Sequence, residues 1–517
     1  MHLLYTPAVS FMTPAERAFA KAVSRINYSN PFVPERLEAE REALGSAYLE
    51  SGRVWSLGSE DDERPNLALL RARIEDLAAR LREALTRGAP ASEEDRVLYE
   101  DLVLHLLYDR NRDPLHELIK RRSRKAERVA IYDAYLADAL HFLALPGLPE
   151  PKPAELAHVF ACFFQIRRAF HFIFSHIIGA SPAAARLRSE VWRSIFTHDI
   201  RRYRRFLHAR MGEIATLITG PSGSGKELVA RAIGLSRYLA FDPESRRFAG
   251  GIEDSFHAVN LSALSPTLIE SELFGHRRGS FTGALEDRAG WLESCPTHGA
   301  VFLDEIGELD GRIQVKLLRT LQTREFQRIG ETQARAFAGK LIAATNRDLD
   351  EEMREKRFRP DFYYRICSDL IATHSLRSQL KDAPEDLSTL LLFVARRVAG
   401  DEGEALARES ESWIDRHLGR DYAWPGNFRE LEQCVRNILI RREYRPGAPA
   451  AESPVEELAK SVAAGRLSAD DVLRRYVTLV YAQTGNYQET ARRLLLDRRT
   501  VQARIDPDFL ERLRQGD

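Results

Sequence analysis

Through its first 176 residues the chain repeats apolar positions with the period of a helix. Phe19, Val23 and Ile26 follow Thr13-Pro14-Ala15-Glu16, a capping box with proline in the first helical position. Asn30-Pro31 breaks that helix, and a second is predicted from Pro34 towards Leu49. Leu70, Ile74, Leu77, Leu81 and Leu85 fall on a heptad-like line, short enough that a bundle helix is favoured over a coiled coil. Gly88-Ala89-Pro90 reads as a turn, Ser92 as the cap of the next helix, and Leu145 to Pro153 as a hinge. A helix from about Ala154 to His176 carries Phe160, Phe163, Phe164, Phe170, Phe172 and Phe174, beside His158, His171 and His176. That stripe could line a pocket, but core packing is the commoner outcome. Downstream the pattern changes. Leu217-Ile218-Thr219, Val301-Phe302-Leu303 and Leu341-Ile342-Ala343-Ala344 are short apolar runs of the kind that form buried parallel strands. An all-helical first third followed by an α/β domain is therefore expected.

Each of the three strands ends in polar residues. The first runs into Gly220-Pro221-Ser222-Gly223-Ser224-Gly225-Lys226-Glu227 and then a helix-forming stretch, which fits G-x-x-x-x-G-K. Glycines there let backbone N–H groups approach phosphate oxygens, and the helix N-terminus faces the same anion. Lys226 adds charge for the outer phosphates. Glu227 stands where a Ser or Thr commonly supplies a hydroxyl ligand to Mg²⁺. An ordinary Gly-rich turn is the alternative. The second strand delivers Asp304, placed to hold Mg²⁺, and Glu305, placed to polarise a water. The third ends in Thr345-Asn346. Phosphate, metal and water-orienting groups on one sheet edge point to a nucleoside triphosphatase.

Composition narrows the class. A chain of 517 residues, 44% hydrophobic and 29% charged, implies several folded domains. Lys+Arg and Asp+Glu are both 76, so any nucleic-acid contact must be local. The densest basic run, Lys120 to Lys125, reads first as a solvated helix face. Cys162, Cys295, Cys367 and Cys434 are scattered without metal spacing and suggest reduced thiols in a cytoplasmic protein. The most apolar stretch, Val159 to Ile178, is interrupted by Gln165, Arg167, Arg168, His171 and His176, so no membrane association is expected.

With these motifs in view, residues from about Ile177 to Arg441 resemble the AAA+ ATPase domain of bacterial enhancer-binding proteins, the activators of sigma-54 RNA polymerase. The resemblance rests on Gly220 to Glu227, Glu270 to His276, Gly279-Ser280-Phe281-Thr282-Gly283-Ala284, Phe302 to Glu308, Ala344 to Leu349 and Trp424 to Leu431. In that family a Glu also follows the Walker lysine. The resemblance implies an AAA+ parallel sheet (177–375) with a helical lid (376–445), using ATP and Mg²⁺. It implies Ile178 and Gly179 near adenine, Asn260 contacting the catalytic Glu305, Asn346 as a further catalytic residue, and Arg429 sensing the γ-phosphate. It further implies Arg359 and Arg365 as arginine fingers given to a neighbouring subunit, hence a ring, usually a hexamer. Residues 279–284 would contact sigma-54. Ser375-Leu376-Arg377-Ser378-Gln379 departs from the family's Pro-Leu-Arg-Glu-Arg and puts one lid contact in doubt. Two insertions, near 201–212 and 241–256, have no role in the resemblance.

Residues 446–467 read as a linker, and 468–517 resemble the family's Fis-type helix-turn-helix, which binds upstream enhancer DNA. Arg498, Arg499, Thr500, Gln502 and Arg504 sit on its second helix, where Arg and Gln can pair with base edges. Ile505-Asp506-Pro507 cuts that helix short, and a plain three-helix tail is the alternative. The chain thus reads as an ATP-driven transcriptional activator. An AAA+ ATPase remodelling another protein and a DNA-binding regulator without ATP turnover are the rivals. Residues 1–176 show neither a receiver's alternating strands nor a legible sensor. Every nucleotide motif lies downstream of them, so the motor is expected to fold without them.

Overall fold

The computed structural model describes residues 11–50, 64–121, 128–251, 255–447 and 454–515. They form two compact units, Met1–Ile440 and Arg441–Asp517. Among the described residues no helix is long and apolar enough to cross a membrane.

The first third is helical: α1 (Pro14–Tyr28), α2 (Pro34–Leu44), α3 (Pro65–Thr86), α4 (Glu93–Lys120), α5 (Tyr132–Leu143) and α6 (Pro153–His176). The capping box forms as expected, with Thr13 Oγ1 accepting from the Glu16 N–H at 3.3 Å and Glu16 Oε2 accepting from the Thr13 N–H at 2.8 Å. Helix α2 stops short of the expected Leu49 because Gly45 takes φ +55°, a conformation that ends a helix. Leu70, Ile74, Leu77, Leu81 and Leu85 are all buried, so the heptad-like line is a bundle face. Most of the basic run at 120–125, and the acidic Glu60 to Glu63, lie outside the described residues.

After α7 (Pro182–Phe196) comes the sheet. Its strands are β1 (Thr216–Thr219), β2 (Phe256–Asn260), β3 (Ala300–Asp304), β4 (Lys340–Thr345) and β5 (Asp369–Ala372), in the order β5-β1-β4-β3-β2. All pairings are parallel. The register places Thr219 beside Thr345 and Asn260 beside Asp304, so the strand ends deliver their polar residues to one edge. Leu217, Val301, Leu303 and Leu341 point into one core with α9 (Gly311–Thr323) and α10 (Pro360–Ile366). Ile218, Phe302, Ile342 and Ile371 point the other way, towards Val229 and Ile233 of α8 (Lys226–Gly234).

That second core does not end at α8. It continues through α7 and α6 into the N-terminal bundle as one apolar cluster. Both insertions serve this junction. The ribbon Phe241–Asp242/Arg247–Phe248 sets Phe248 on Phe164 (ring centroids 4.2 Å) and Phe241 on Phe160 (5.0 Å). Arg201, just before a π-helical turn at Tyr203–Leu207, bonds Asp101 at 2.6 Å and Ser24 at 3.0 Å. Arg168 of α6, fully buried, donates to the carbonyls of Leu235 and of Arg237 (3.0 Å), capping the C-terminal end of α8. Burial pushes its guanidinium pKa down to about 9.

The lid helices are α11 (Leu376–Asp382), α12 (Asp386–Ala399), α13 (Gly403–His417) and α14 (Asn427–Arg441). The second unit holds α15 (Pro454–Ala463), α16 (Ala469–Thr484), α17 (Tyr487–Leu494), α18 (Arg498–Arg504) and α19 (Pro507–Gln515), around Val477, Ala491 and Val501.

Candidate functional site: a phosphate loop, two carboxylates and a lid

The loop after β1 turns on glycines. Gly220 and Gly223 have φ of +142° and +73°. A Cβ on Gly220 would lie 2.2 Å from Thr373 Oγ1, and one on Gly223 would lie 2.5 Å from the Gly426 carbonyl of the lid. Ser224 is buried, its hydroxyl 2.6 Å from Thr373 Oγ1. Lys226 Nζ folds over the loop and donates to the carbonyls of Gly220 (3.0 Å) and Pro221 (3.2 Å). Burial lowers its pKa, while Glu305 and Asp304 oppose that shift. Glu227 pairs with Arg231 at 2.8 Å, one turn along α8, rather than with Lys226.

Asp304 ends β3 half-buried. Burial, and then the like charge of Glu305, raise its pKa; Lys226 pulls it down. Glu305 has φ +58° and ψ +53°, a left-handed conformation costing roughly 1–3 kcal/mol for a residue with a side chain. The turn sends its carboxylate towards β4, where Oε2 accepts from the Asn346 N–H at 3.3 Å. Asn260 lies in register with Asp304, but the expected bond to Glu305 gives way to a local turn. Its Oδ1 accepts from the Ser262 N–H (3.0 Å) and hydroxyl (2.8 Å).

Between the phosphate loop, the ends of α6 and α7, and the lid lies a cleft of about 650 Å³. One end holds Gly223 to Glu227, Asp304, Glu305 and Arg429. The other is apolar, with Ile178, Leu187, Leu390, Phe393 and Val394, and carries Arg397. A triphosphate fits the first end and a base the second. Gly179 is where a Cβ would meet Gln379 at 2.4 Å and Asp386 at 2.5 Å. Asp386 accepts from the N–H groups of Ala180 (2.6 Å) and Ser181 (3.1 Å), and Gln379 Nε2 donates to it (3.0 Å) and to the Ile178 carbonyl (3.3 Å). The departure at Ser375–Gln379 therefore supplies its own lid contact.

The lid also grips the loop. Arg429 Nη1 donates to Ser222 Oγ at 3.0 Å, Asn427 Nδ2 to the Ser222 carbonyl at 2.9 Å, and the Phe428 N–H to the Gly223 carbonyl at 3.0 Å. Gly223→Ala should push Gly426 away and open this clamp. Nucleotide affinity measured by calorimetry should fall about tenfold or more, since both the clash and the positive φ oppose the bound geometry. Unchanged affinity would mean that the clamp is not needed for binding.

Arg359 and Arg365 do not line this cleft. Arg359 forks onto Asp361, with Nη2 to Oδ2 at 2.7 Å, and Arg365 donates to the Leu321 carbonyl at 2.7 Å; both are exposed. Residues 279–284 form a tight turn away from the cleft. The Gly279 N–H donates to the Ala284 carbonyl (2.8 Å) and the Ala284 N–H to that of Phe281 (3.0 Å). Gly279 and Gly283 have φ of +79° and +102°, with open space around both. Phe281 lies edge-on to His276 at 5.0 Å, Ser280 is half-buried, and Thr282 is exposed.

In the second unit, Arg498, Arg499 and Gln502 are exposed on α18. Thr500 and Arg504 are otherwise engaged. The Asp497 cap accepts from the Thr500 N–H at 2.9 Å, and Arg504 pairs with Asp470 at 2.6 Å. The short helix has a structural reason. Pro507 opens α19, which folds back on α16, buries Phe509, and lets the Asp506 N–H donate to Thr478. The base-end residues Leu187, Leu390, Phe393, Val394 and Arg397, and Thr373 under the loop, went unseen in the sequence. An apolar helix face gives no sign of whether it packs a core or a ligand.

Residues 196–371 match the family model described as the sigma-54 interaction domain. The Nif-specific regulatory protein of Klebsiella pneumoniae is 39% identical over 260 residues, covering 47% of this chain and 46% of that protein. The regulatory protein LuxO of Vibrio cholerae is 37% identical over 243 residues, covering 47% and 49%. The chain thus spans about half the length of these two relatives. The transcriptional regulatory protein ZraR of Salmonella typhi is 33% identical over 389 residues, covering 72% of this chain and 78% of that protein. With a match that spans most of such a regulator, and a sigma-54 interaction domain around the cleft just described, the chain belongs to the family of sigma-54-dependent transcriptional activators.

Proposed function

We propose that the chain is an ATP-hydrolysing activator that acts on the sigma-54 RNA polymerase closed complex from upstream DNA, in the cytoplasm. The observation that carries this reading is the cleft. A phosphate loop, Lys226, Asp304 and Glu305 meet at one end, Arg429 joins the loop to the lid, and an apolar slot fits a base at the other. Asp304 is a hard oxygen donor beside the loop and fits Mg²⁺, which would neutralise phosphate charge when bound. Glu305, oriented by the Asn346 N–H, accepts a proton from water. Arg359 and Arg365, exposed and outside their own cleft, fit a role in a neighbour's, and so a ring of subunits, six by family resemblance. Arg498, Arg499 and Gln502 are the base-reading candidates, with Thr500 and Arg504 shaping their helix.

The exposed turn at 279–284 is the surface we assign to sigma-54. Thr282→Ala removes one hydroxyl and one methyl from a loop that touches nothing in the cleft. ATP turnover should stay within about twofold, as for surface changes far from a site. Promoter opening by sigma-54 polymerase, measured on the same preparation, should be lost. Normal opening would move the contact elsewhere, and loss of both activities would place the loop in the hydrolytic machinery.

A further inference from the structure

A second cavity, of about 190 Å³, lies between the N-terminal helices and the α6–α7 pair. Its walls are aromatic, with Tyr108, Phe163, Phe170, Trp192 and Phe196. Arg36, Arg71, Arg112, Arg167 and Arg204 also reach it, against one carboxylate among the described lining residues, Asp109. Arg71 pairs with Asp109 at 2.6 Å. The carboxylates serving three of the others lie off the wall: Glu40 for Arg36, Asp113 for Arg112 and Glu100 for Arg204. Glu40 is moreover shared with Arg64. Among the described residues the wall thus presents more guanidinium groups than carboxylates. His105, in the same wall, feels it: burial, then Arg36 and Arg71, bring its pKa down to about 3, so its ring is neutral. Its Nδ1 lies 2.6 Å from Asn27 Oδ1.

Size and chemistry together select a ligand. An apolar cavity of roughly 150 Å³ takes up benzene, so this one has room for a single ring with one small substituent. Aromatic walls favour a flat ring, and guanidinium groups favour a carboxylate. The cavity is also connected to the nucleotide cleft through two rigid elements. Helix α6 lends Phe163, Arg167 and Phe170 to the cavity and Ser175 and His176 to the cleft. Helix α7 lends Trp192 and Phe196 to the cavity and Ala183 and Leu187 to the cleft. From Phe170 to Ser175 the helix rises only about 7.5 Å. Arg168, beside the cavity-lining Arg167 and Phe170, caps α8, the helix that follows the phosphate loop.

We propose that this cavity is an effector site for a small monocyclic aromatic carboxylate, and that α6 and α7 carry its occupancy to the nucleotide cleft. The binding half stands on the cavity alone; the coupling half rests on the reading of the cleft given above.

The test uses the full chain and three probes in calorimetry: benzoate, its neutral counterpart benzamide, and acetate, which lacks the ring. Benzoate should bind one per chain, with benzamide and acetate each weaker by about tenfold or more, as expected when a charged pair or a buried ring is lost. Ile166→Trp fills the cavity and should abolish benzoate binding. Arg112→Gln, at a side chain that keeps a quarter of its surface exposed and so is safe for folding, should weaken benzoate but not benzamide. Equal binding of benzoate and benzamide, no benzoate binding at all, or unchanged binding in a folded Ile166→Trp protein would overturn the site. Saturating benzoate should change ADP affinity, and ADP should change benzoate affinity by the same factor. Benzoate binding with no such shift overturns the coupling. Failure of ADP to bind in the absence of benzoate would instead refute the cleft reading, and the probe comparison would still decide the site.

Discussion

Glu305→Gln should bind ATP as the parent chain does and turn it over roughly 10²–10⁴-fold more slowly, the range lost with a positioned general base. The amide keeps the length and shape of the carboxylate and still offers an oxygen to the Asn346 N–H. What it cannot do is take a proton from water. The groups proposed to meet the phosphates, Gly220 to Lys226, take their positions from the loop's own turns, Thr373 and the lid. The change also removes the like charge that helps raise the Asp304 pKa, so Asp304 should hold a cation no less well. Binding of a labelled nucleotide and steady-state phosphate release, measured side by side, separate the two effects. Turnover near the parent level would remove Glu305 from the chemistry. Loss of binding would show that its left-handed turn is needed to hold the phosphate loop, and that its role is structural.

The proposed catalytic edge was legible because it is written in short-range signals. An apolar run that ends in glycines or carboxylates can be recognised residue by residue, and Thr219, Asp304 and Thr345 do come to one sheet edge. Helix α6 was legible only in part. Its aromatic spacing predicted a buried helix, but periodicity states that a face is covered and not by what. Phe160 and Phe164 meet Phe241 and Phe248, some eighty residues later, in an insertion that had no role in the sequence. A close reading could have found that ribbon, since Asp242 accepts from the N–H groups of Glu244 and Ser245 at 3.2 Å, a turn signature around Pro243. The arginines of the second insertion were beyond reach. Arg201 and Arg204 find Asp101 and Glu100 across a hundred residues, and a charge run in sequence carries no partner. Residue identity also failed to separate Arg498 and Arg499 from Arg504, which only Asp470 distinguishes.

Deletion of residues 1–176 should leave a chain that does not fold, against the expectation from motif positions alone. Every group that would touch a nucleotide except Ser175 and His176 survives the cut, so the loss would be one of stability. Three aromatic side chains each lose a partner on α6: Trp192, 4.9 Å from Phe170, and Phe241 and Phe248, on Phe160 and Phe164. At about 1.5–3 kcal/mol for each buried side chain, full exposure of these three alone would amount to roughly 4.5–9 kcal/mol. A typical domain has only about 5–15 kcal/mol in total. The cut also removes Gln165 and Arg168, which are bonded to Tyr203 and to the carbonyl end of α8. That helix begins with Lys226, so the damage reaches the phosphate loop directly. Retaining α6, in a chain that begins near residue 150, restores the α6 partner of each of the three aromatics and both polar contacts. The shorter chain should be insoluble or melt without cooperativity, and the longer one should melt cooperatively and bind ATP. A soluble, cooperatively melting chain that starts at residue 177 would mean that the bundle merely leans on the sheet domain, and that the continuous apolar cluster overstates what α6 contributes.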